Sequence, residues 1–263
     1  MQSGRRNDEK PRGEGATASV GRGRAWRTAA PEWPPWVHRV VSPFPRVRKS
    51  RLYRWRQPQP DPAVDWRKTF RQWARTGGLG LDLRRRPKRR WPERLVVFWD
   101  VSGSMVEYAE WLWPWLYRVL GDAGEWAVFA FGTGVADVSA AFSGSYRHGG
   151  ERLQAVFRVW GSGTTIGESL LGWLQGPYGG FLRPGTMVWI ISDGWDRGDP
   201  EALRAALTRF RRAGTTVYWL HPLMHTPGFS PATRALKAAL PFLRALVPAD
   251  GPAELLNVGE YLR

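Results

Sequence analysis

The chain has 263 residues, 43% of them hydrophobic and 13% aromatic, enough to bury one α/β core and carry an appendage. It has no cysteine, which excludes disulfides, thiolate metal sites and cysteine nucleophiles, so any metal must be held by oxygen or imidazole. The formal charge of +16 resides in residues 1–93, which hold 24 Lys+Arg against 8 Asp+Glu, whereas residues 94–263 hold 15 of each and are neutral.

Residues 1–62 mix Gly, Pro, Arg and Trp with no helical or strand period, as in PEWPPWVHRVVSPFPRVRKS, and are expected to form a basic arm, extended or disordered. Trp26, Trp33, Trp36 and Trp55 argue against complete disorder, because so much aromatic surface usually docks somewhere. Residues 63–93 are predicted to be a short helix and a basic linker. The helix is DWRKTFRQWAR, with Trp66, Phe70 and Trp73 on one face and Gly77-Gly78 as its stop. The linker contains Arg84-Arg85-Arg86-Pro87-Lys88-Arg89-Arg90. A solvated, self-repelling segment is its plainer reading; the alternative is a contact with nucleic acid, an anionic membrane surface or an acidic protein. No run approaches the roughly 18 to 20 apolar residues of a membrane span, and MQSGRRNDEKPRGEG lacks the apolar stretch of a signal peptide, so a cytoplasmic location is expected.

From Arg94 to the C-terminus, apolar strands alternate with amphipathic segments, the pattern of a doubly wound, mainly parallel Rossmann-like α/β sheet with helices on both faces. The predicted strands are Leu95–Trp99, Trp126–Phe131, Met187–Ser192, Thr216–His221 and a weaker Phe242–Val247, with Val135–Ser139 as an antiparallel edge. Helices are predicted over 105–120, 150–159, 166–175, 200–213, 232–240 and 252–262.

Three segments carry chemistry. LVVFWDVSGSM puts Asp100 at the end of a buried strand, with Ser102 and Ser104 on the following turn. Open α/β sheets bind ligands at this end of their strands, and a carboxylate with two hydroxyls suits a hard divalent cation. GSGTTIGESL puts Thr164 in a Gly-rich loop before a helix, and MVWIISDGWDRGD puts Asp193 at the end of another apolar strand. Each segment alone has a plainer reading: helix capping by Ser102, Ser104, Thr164 or Thr165, or an Asp-Gly turn at Asp193-Gly194. Asp196 and Asp199 read as solvated acids near a helix start, with a supporting role at the site or a partner-facing one as the alternative. Glu107, Tyr108 and Glu110 read as helix surface rather than a rim to the site. Trp111, Trp113 and Trp115 around Pro114 read as packing aromatics. His221 and His225 are four apart, but Pro222 and Pro227 oppose a helical zinc pair, and both read as loop residues.

These segments resemble the von Willebrand factor A (VWA) superfamily and, within it, the CoxE-like branch. The resemblance extends from about Asp65 to the C-terminus, through DWRKTFRQWARTGG, DVSGSM, FAFGT, GTTIGESL and ISDGWDRGDPEAL. It implies a metal-ion-dependent adhesion site (MIDAS) formed by Asp100, Ser102, Ser104, Thr164 and Asp193, holding one Mg²⁺, or Mn²⁺ or Ca²⁺ in its place. YWLHPL departs from the family in carrying His221 where Asn is common. The resemblance also implies a MoxR-type AAA+ ATPase, or a client metalloenzyme undergoing maturation or remodelling, as the partner whose acidic residue completes the metal site. The motif loops supply no His, Lys or Cys as nucleophile or general base, so metal-dependent protein binding rather than catalysis is expected. The alternative is nucleic-acid binding through the Arg- and Trp-rich arm.

Overall fold

The computed structural model describes residues 34–40, 42, 44, 66–75, 94–159 and 163–262. Strands β1 (Arg94–Asp100), β2 (Glu125–Phe131), β3 (Val135–Asp137), β4 (Met187–Ile191), β5 (Thr216–His221) and β6 (Leu243–Pro248) form one sheet in the order β3-β2-β1-β4-β5-β6. All neighbours are parallel except β3, which runs antiparallel to β2 at the edge. The described helices are α1 (Trp66–Arg75), α2 (Ala109–Leu120), α3 (Ser139–Ser143), α4 (Tyr146–Val159), α5 (Ile166–Gln175), α6 (Pro200–Arg212), α7 (Arg234–Ala239) and α8 (Pro252–Tyr261).

The period-two geometry of a strand divides the core in two. Leu95, Val97 and Trp99 of β1 pack with Leu112 and Leu116 of α2, Leu153 and Phe157 of α4, and Leu255 and Val258 of α8. Val96 and Phe98 point the other way, towards Leu170 and Trp173 of α5, Leu203 and Phe210 of α6, and Leu236 of α7. Burial on both faces explains why β1 is a nearly unbroken apolar run, and the doubly wound expectation holds. Trp113 and Trp115 are core residues as expected, with Trp111 packed partly buried against them.

The structure departs from the predicted elements in three places. The helix expected over 105–120 opens as a 3-10 turn at Gly103–Met105, and α2 starts only at Ala109. The edge strand stops at Asp137, whose Oδ1 accepts the Ser139 N–H (2.9 Å), and the chain turns into α3. Helix α4 begins at Tyr146, four residues before the expected start at 150, and so runs through Gly149. A Cβ on Gly149 would fall 2.0 Å from the Ala141 carbonyl oxygen, so glycine is what lets α4 approach α3.

Part of the arm belongs to the core, contrary to its expected extended or disordered state. Pro35–Arg39 forms a 3-10 turn, and Val37, Val40 and Phe44 are buried. The Phe44 ring stacks on Trp189 of β4 (5.8 Å), which stacks in turn on Trp115 of α2 (5.5 Å). Trp26, Trp33, Trp55 and the basic run 84–90 lie outside the described residues. Helix α1 forms as predicted; Thr69 is buried, while Phe70 and Trp73 meet edge-to-face (6.5 Å) and are exposed. No helix among the described residues is long and apolar enough to cross a membrane.

The position of α5 depends on a second close approach. A Cβ on Gly167 would lie 2.4 Å from the Leu203 backbone nitrogen. Gly167→Ala is therefore expected to force α5 and α6 apart and to cost about 1–3 kcal/mol of stability, measured by urea denaturation.

Candidate metal centre

The order of the strands creates one crevice. From β1 the chain moves outward to β2 and β3, then crosses back to β4 on the other side of β1. The connections diverge at the C-terminal ends of β1 and β4, the topological switch point at which open α/β sheets take ligands. Asp100 is the last residue of β1, and Asp193 lies two residues beyond β4.

Asp100 is fully buried. Its Oδ1 accepts the Ser102 N–H (2.9 Å) and the Thr164 hydroxyl (3.3 Å), and its Oδ2 accepts the Ser192 hydroxyl (2.7 Å). The Ser102 and Ser104 hydroxyl oxygens lie 3.2 Å apart. Asp193, also buried, accepts the Trp195 N–H at Oδ1 (3.0 Å) and is near enough for its charge to act on Asp100. The five residues singled out in sequence thus gather at one crevice. Among the described residues, neither Asp100 nor Asp193 has an ion-pair partner. Burial pushes the Asp100 carboxyl up to about 6, against the opposing hydrogen bonds from Ser192 and Ser102, and the Asp193 charge adds to the rise.

The capping alternative fails for the hydroxyls. Ser102 precedes the 3-10 turn and Thr165 precedes α5, yet neither side chain caps. The cap of α5 comes from Asp196, whose Oδ1 accepts the Ile166 N–H (3.0 Å) and the Gly198 N–H (2.9 Å). Asp196 is therefore half-buried and structural rather than solvated, and burial raises its carboxyl above the usual range. Asp199 is the exposed cap of α6. At Asp193 the turn reading holds: Gly194 takes φ +74°, which favours glycine, and the Asp193 side chain closes the turn.

Sequence reasoning did not single out Ser192, which orients Asp100. Its hydroxyl donates to Asp100 and accepts the Gly194 N–H (3.0 Å), while its carbonyl accepts the Trp219 indole N–H (2.9 Å). A serine at the end of an apolar strand was the available signal. His221 is a buried strand end, not a loop residue. Its Nδ1 accepts the Leu223 N–H (3.1 Å), the ring is hydrogen-bonded to the Asp193 backbone, and burial lowers its pKa, favouring the neutral ring. Tyr108 is buried beside the site, whereas Glu107 and Glu110 stay exposed. Burial, the hydrogen bond to Glu107, and the charges of Glu107, Asp193 and Asp250 together push its hydroxyl pKa far up.

Among the described residues, no group of three or more His, Asp or Glu could hold a metal by itself. The groups that could hold a cation here are instead the two carboxylates of Asp100 and Asp193 and the three hydroxyls of Ser102, Ser104 and Thr164, a hard-oxygen set that would suit Mg²⁺ or Mn²⁺ and offer little to a softer metal. A buried carboxylate without a cationic partner is the feature that a bound divalent ion would satisfy.

A family model described as VWA domain containing CoxE-like protein matches residues 36–255. The match begins at the 3-10 turn of the arm, upstream of Asp65. No curated protein gives a significant match. Among solved structures, proximal thread matrix protein 1 from the mussel byssus is 16% identical, with a TM-score of 0.44 over 64% of this chain and 46% of that one. A further structure of that mussel protein, described as having a zinc occupied MIDAS motif, gives 16% identity and a TM-score of 0.43 over 64% and 46%. The conserved hypothetical protein BatB from Bacteroides thetaiotaomicron is 15% identical, with a TM-score of 0.39 over 64% and 96%. The chain spans less than half the length of the mussel protein.

Proposed function

The chain belongs to the family of VWA-domain-containing CoxE-like proteins, and from that premise we propose that it is a non-enzymatic, metal-dependent protein-binding domain. Asp100, Ser102, Ser104, Thr164 and Asp193 would hold one divalent cation, Mg²⁺ or Mn²⁺ ahead of Ca²⁺. Such an ion supplies an open coordination position with spare positive charge for a carboxylate from another protein. The observation that carries this reading is Asp100: fully buried, bonded by two hydroxyls and a backbone N–H, and facing a second carboxylate with no cation paired to either among the described residues.

A binding role accords with the side chains around the crevice. The nearest imidazole, His221, has its Nδ1 engaged with the Leu223 N–H and its ring held to the Asp193 backbone, which leaves it no base to offer a substrate. Family membership favours a MoxR-type AAA+ ATPase, or a client metalloenzyme in maturation or remodelling, as the partner that donates the acidic residue. It favours the cytoplasm as the place of work, which fractionation of the native host would test.

Ser102→Ala and Ser104→Ala are each expected to weaken Mg²⁺ or Mn²⁺ binding about tenfold or more, because each removes a proposed ligand, and to leave the unfolding midpoint nearly unchanged, because neither hydroxyl caps a helix. Calorimetric titration with thermal melts measures both. The complex with a co-purified MoxR-type ATPase from the same host should be lost on chelation with EDTA and in both serine variants.

The charge of residues 1–93 supports a second reading, in which the arm binds nucleic acid. Such binding would fall steeply with added salt and ignore EDTA, whereas the metal-bridged complex would respond chiefly to EDTA. A complex insensitive to EDTA and to both serine substitutions rules out the metal-bridged reading.

A further inference from the structure

The loop that follows β4 supplies Asp193 and then presents two exposed side chains, Trp195 and Arg197. Trp195 is 70% exposed. The Arg197 backbone N–H donates to the Thr164 carbonyl (2.9 Å), which ties this loop to the one that presents the Thr164 hydroxyl. The Arg197 side chain then lies alongside Gly163: a Cβ on Gly163 would be 3.5 Å from Arg197 Nη1 and 3.7 Å from its Cζ. The guanidinium is thereby held beside the residue that precedes Thr164.

Among the described residues Arg197 forms no ion pair. Three acids on neighbouring segments accept backbone N–H groups: Glu168 from Asp199, Asp196 through Oδ1 from Ile166 and Gly198, and Asp199 from Glu201. Around Tyr108, which the Asp193 charge reaches, the sign is the reverse. Exposed Glu107 bonds the Tyr108 hydroxyl, which the charges of Asp193 and Asp250 also reach. An anionic ligand centred on the crevice therefore meets repulsion on the Tyr108 side and an unpaired planar cation on the Arg197 side. A guanidinium fork matches a carboxylate geometrically and is weakly hydrated, so it is suited to anion recognition at a partly exposed site.

We infer that Arg197 is a second anion anchor of the metal face, and that the segment recognised there is an acidic protein loop with two carboxylates, one for the cation and one for Arg197. Trp195 supplies apolar surface beside them. This rests on the metal-bridged reading, so the test must separate failure of one from failure of the other.

The full chain is titrated, in millimolar Mg²⁺, with two fluorescent peptides of otherwise neutral sequence, one with a single aspartate and one with two aspartates two residues apart, and Mn²⁺ binding is followed in parallel by electron paramagnetic resonance. The wild type is expected to bind the two-aspartate peptide roughly threefold to tenfold more tightly than the other. That ratio should fall to about one in Arg197→Ala, and Arg197→Lys should keep part of it. EDTA should abolish binding of both peptides. An equal ratio in wild type and Arg197→Ala, or no preference in the wild type, overturns the second anchor while EDTA-sensitive binding of the single-aspartate peptide upholds the metal-bridged reading. Loss of Mn²⁺ binding in Arg197→Ala assigns the residue a structural task at the Thr164 loop and also overturns the proposal. Binding that ignores EDTA, or none by either peptide, defeats both.

Discussion

Asp100→Asn is expected to abolish divalent-cation binding, by at least a hundredfold, while leaving the metal-free protein as stable as the wild type at pH 7 or more so. The two effects separate a metal ligand from a packing residue. Asparagine keeps the shape of aspartate and an oxygen for the Ser102 N–H and the Thr164 hydroxyl, but it removes the charge that the cation needs. That charge is costly without metal, because burial raises the Asp100 carboxyl from 3.8 to about 6. The folded protein holds this proton more firmly than the unfolded chain does. The associated stability is therefore full below 3.8 and is lost as the pH rises through about 6. Keeping Asp100 ionised at neutral pH costs the metal-free fold about 3 kcal/mol, and Asp100→Asn should regain about 1–3 kcal/mol of it. Two further results follow from the same sign. Cation affinity should fall about tenfold per pH unit below pH 6, as protons compete for the carboxylate. Saturating Mg²⁺ should raise the melting temperature of the wild type more at pH 7 than at pH 5, and should not raise that of Asp100→Asn. Urea denaturation and melts across pH 4–8, with and without Mg²⁺, measure all of this. A Mg²⁺-induced stabilisation that survives in Asp100→Asn would remove this residue from the site.

Removing residues 1–45 is expected to be the most destabilising change, although most of that segment looks expendable in sequence. Val37, Val40 and Phe44 are buried in the face of the core that contains α2 and β4, and Phe44 stacks on Trp189. At about 1.5–3 kcal/mol for each buried side chain, the loss approaches the whole stability of an ordinary domain, about 5–15 kcal/mol. The deletion should unfold at low denaturant or without a cooperative transition. Phe44→Ala in the full chain isolates one contact and should cost about 3–5 kcal/mol, because the Trp189 and Trp115 rings cannot both collapse into the space left. Unchanged midpoints in Phe44→Ala and in the deletion would show that the arm contributes nothing to the core.

Much of this protein is legible in its sequence because the information is local. Strand β1 shows in the run LVVFW, since a strand buried on both faces needs apolar residues at every position, and helices α5, α6 and α8 show in their 3.6-residue period and start signals. The candidate residues Asp100, Ser102, Ser104 and Asp193 are equally visible, because they stand at strand ends and the turns after them, where a parallel sheet takes its ligands, and Thr164 stands out in its Gly-rich loop before a helix. The rest depends on partners distant along the chain. Nothing near Ser192 reveals that its hydroxyl meets Asp100, 92 positions earlier, or that Asp196 caps a helix 30 positions before it. Gly149 lies outside the helix expected over 150–159, and nothing near it reveals that the Ala141 backbone lies against it; the Pro-rich stretch around Val37 and Phe44 has no period of its own. Periodicity reports which face of an element is apolar; which surface covers that face, and which side chain reaches a buried carboxylate, are decided only when the layers close and each buried polar atom must find a partner.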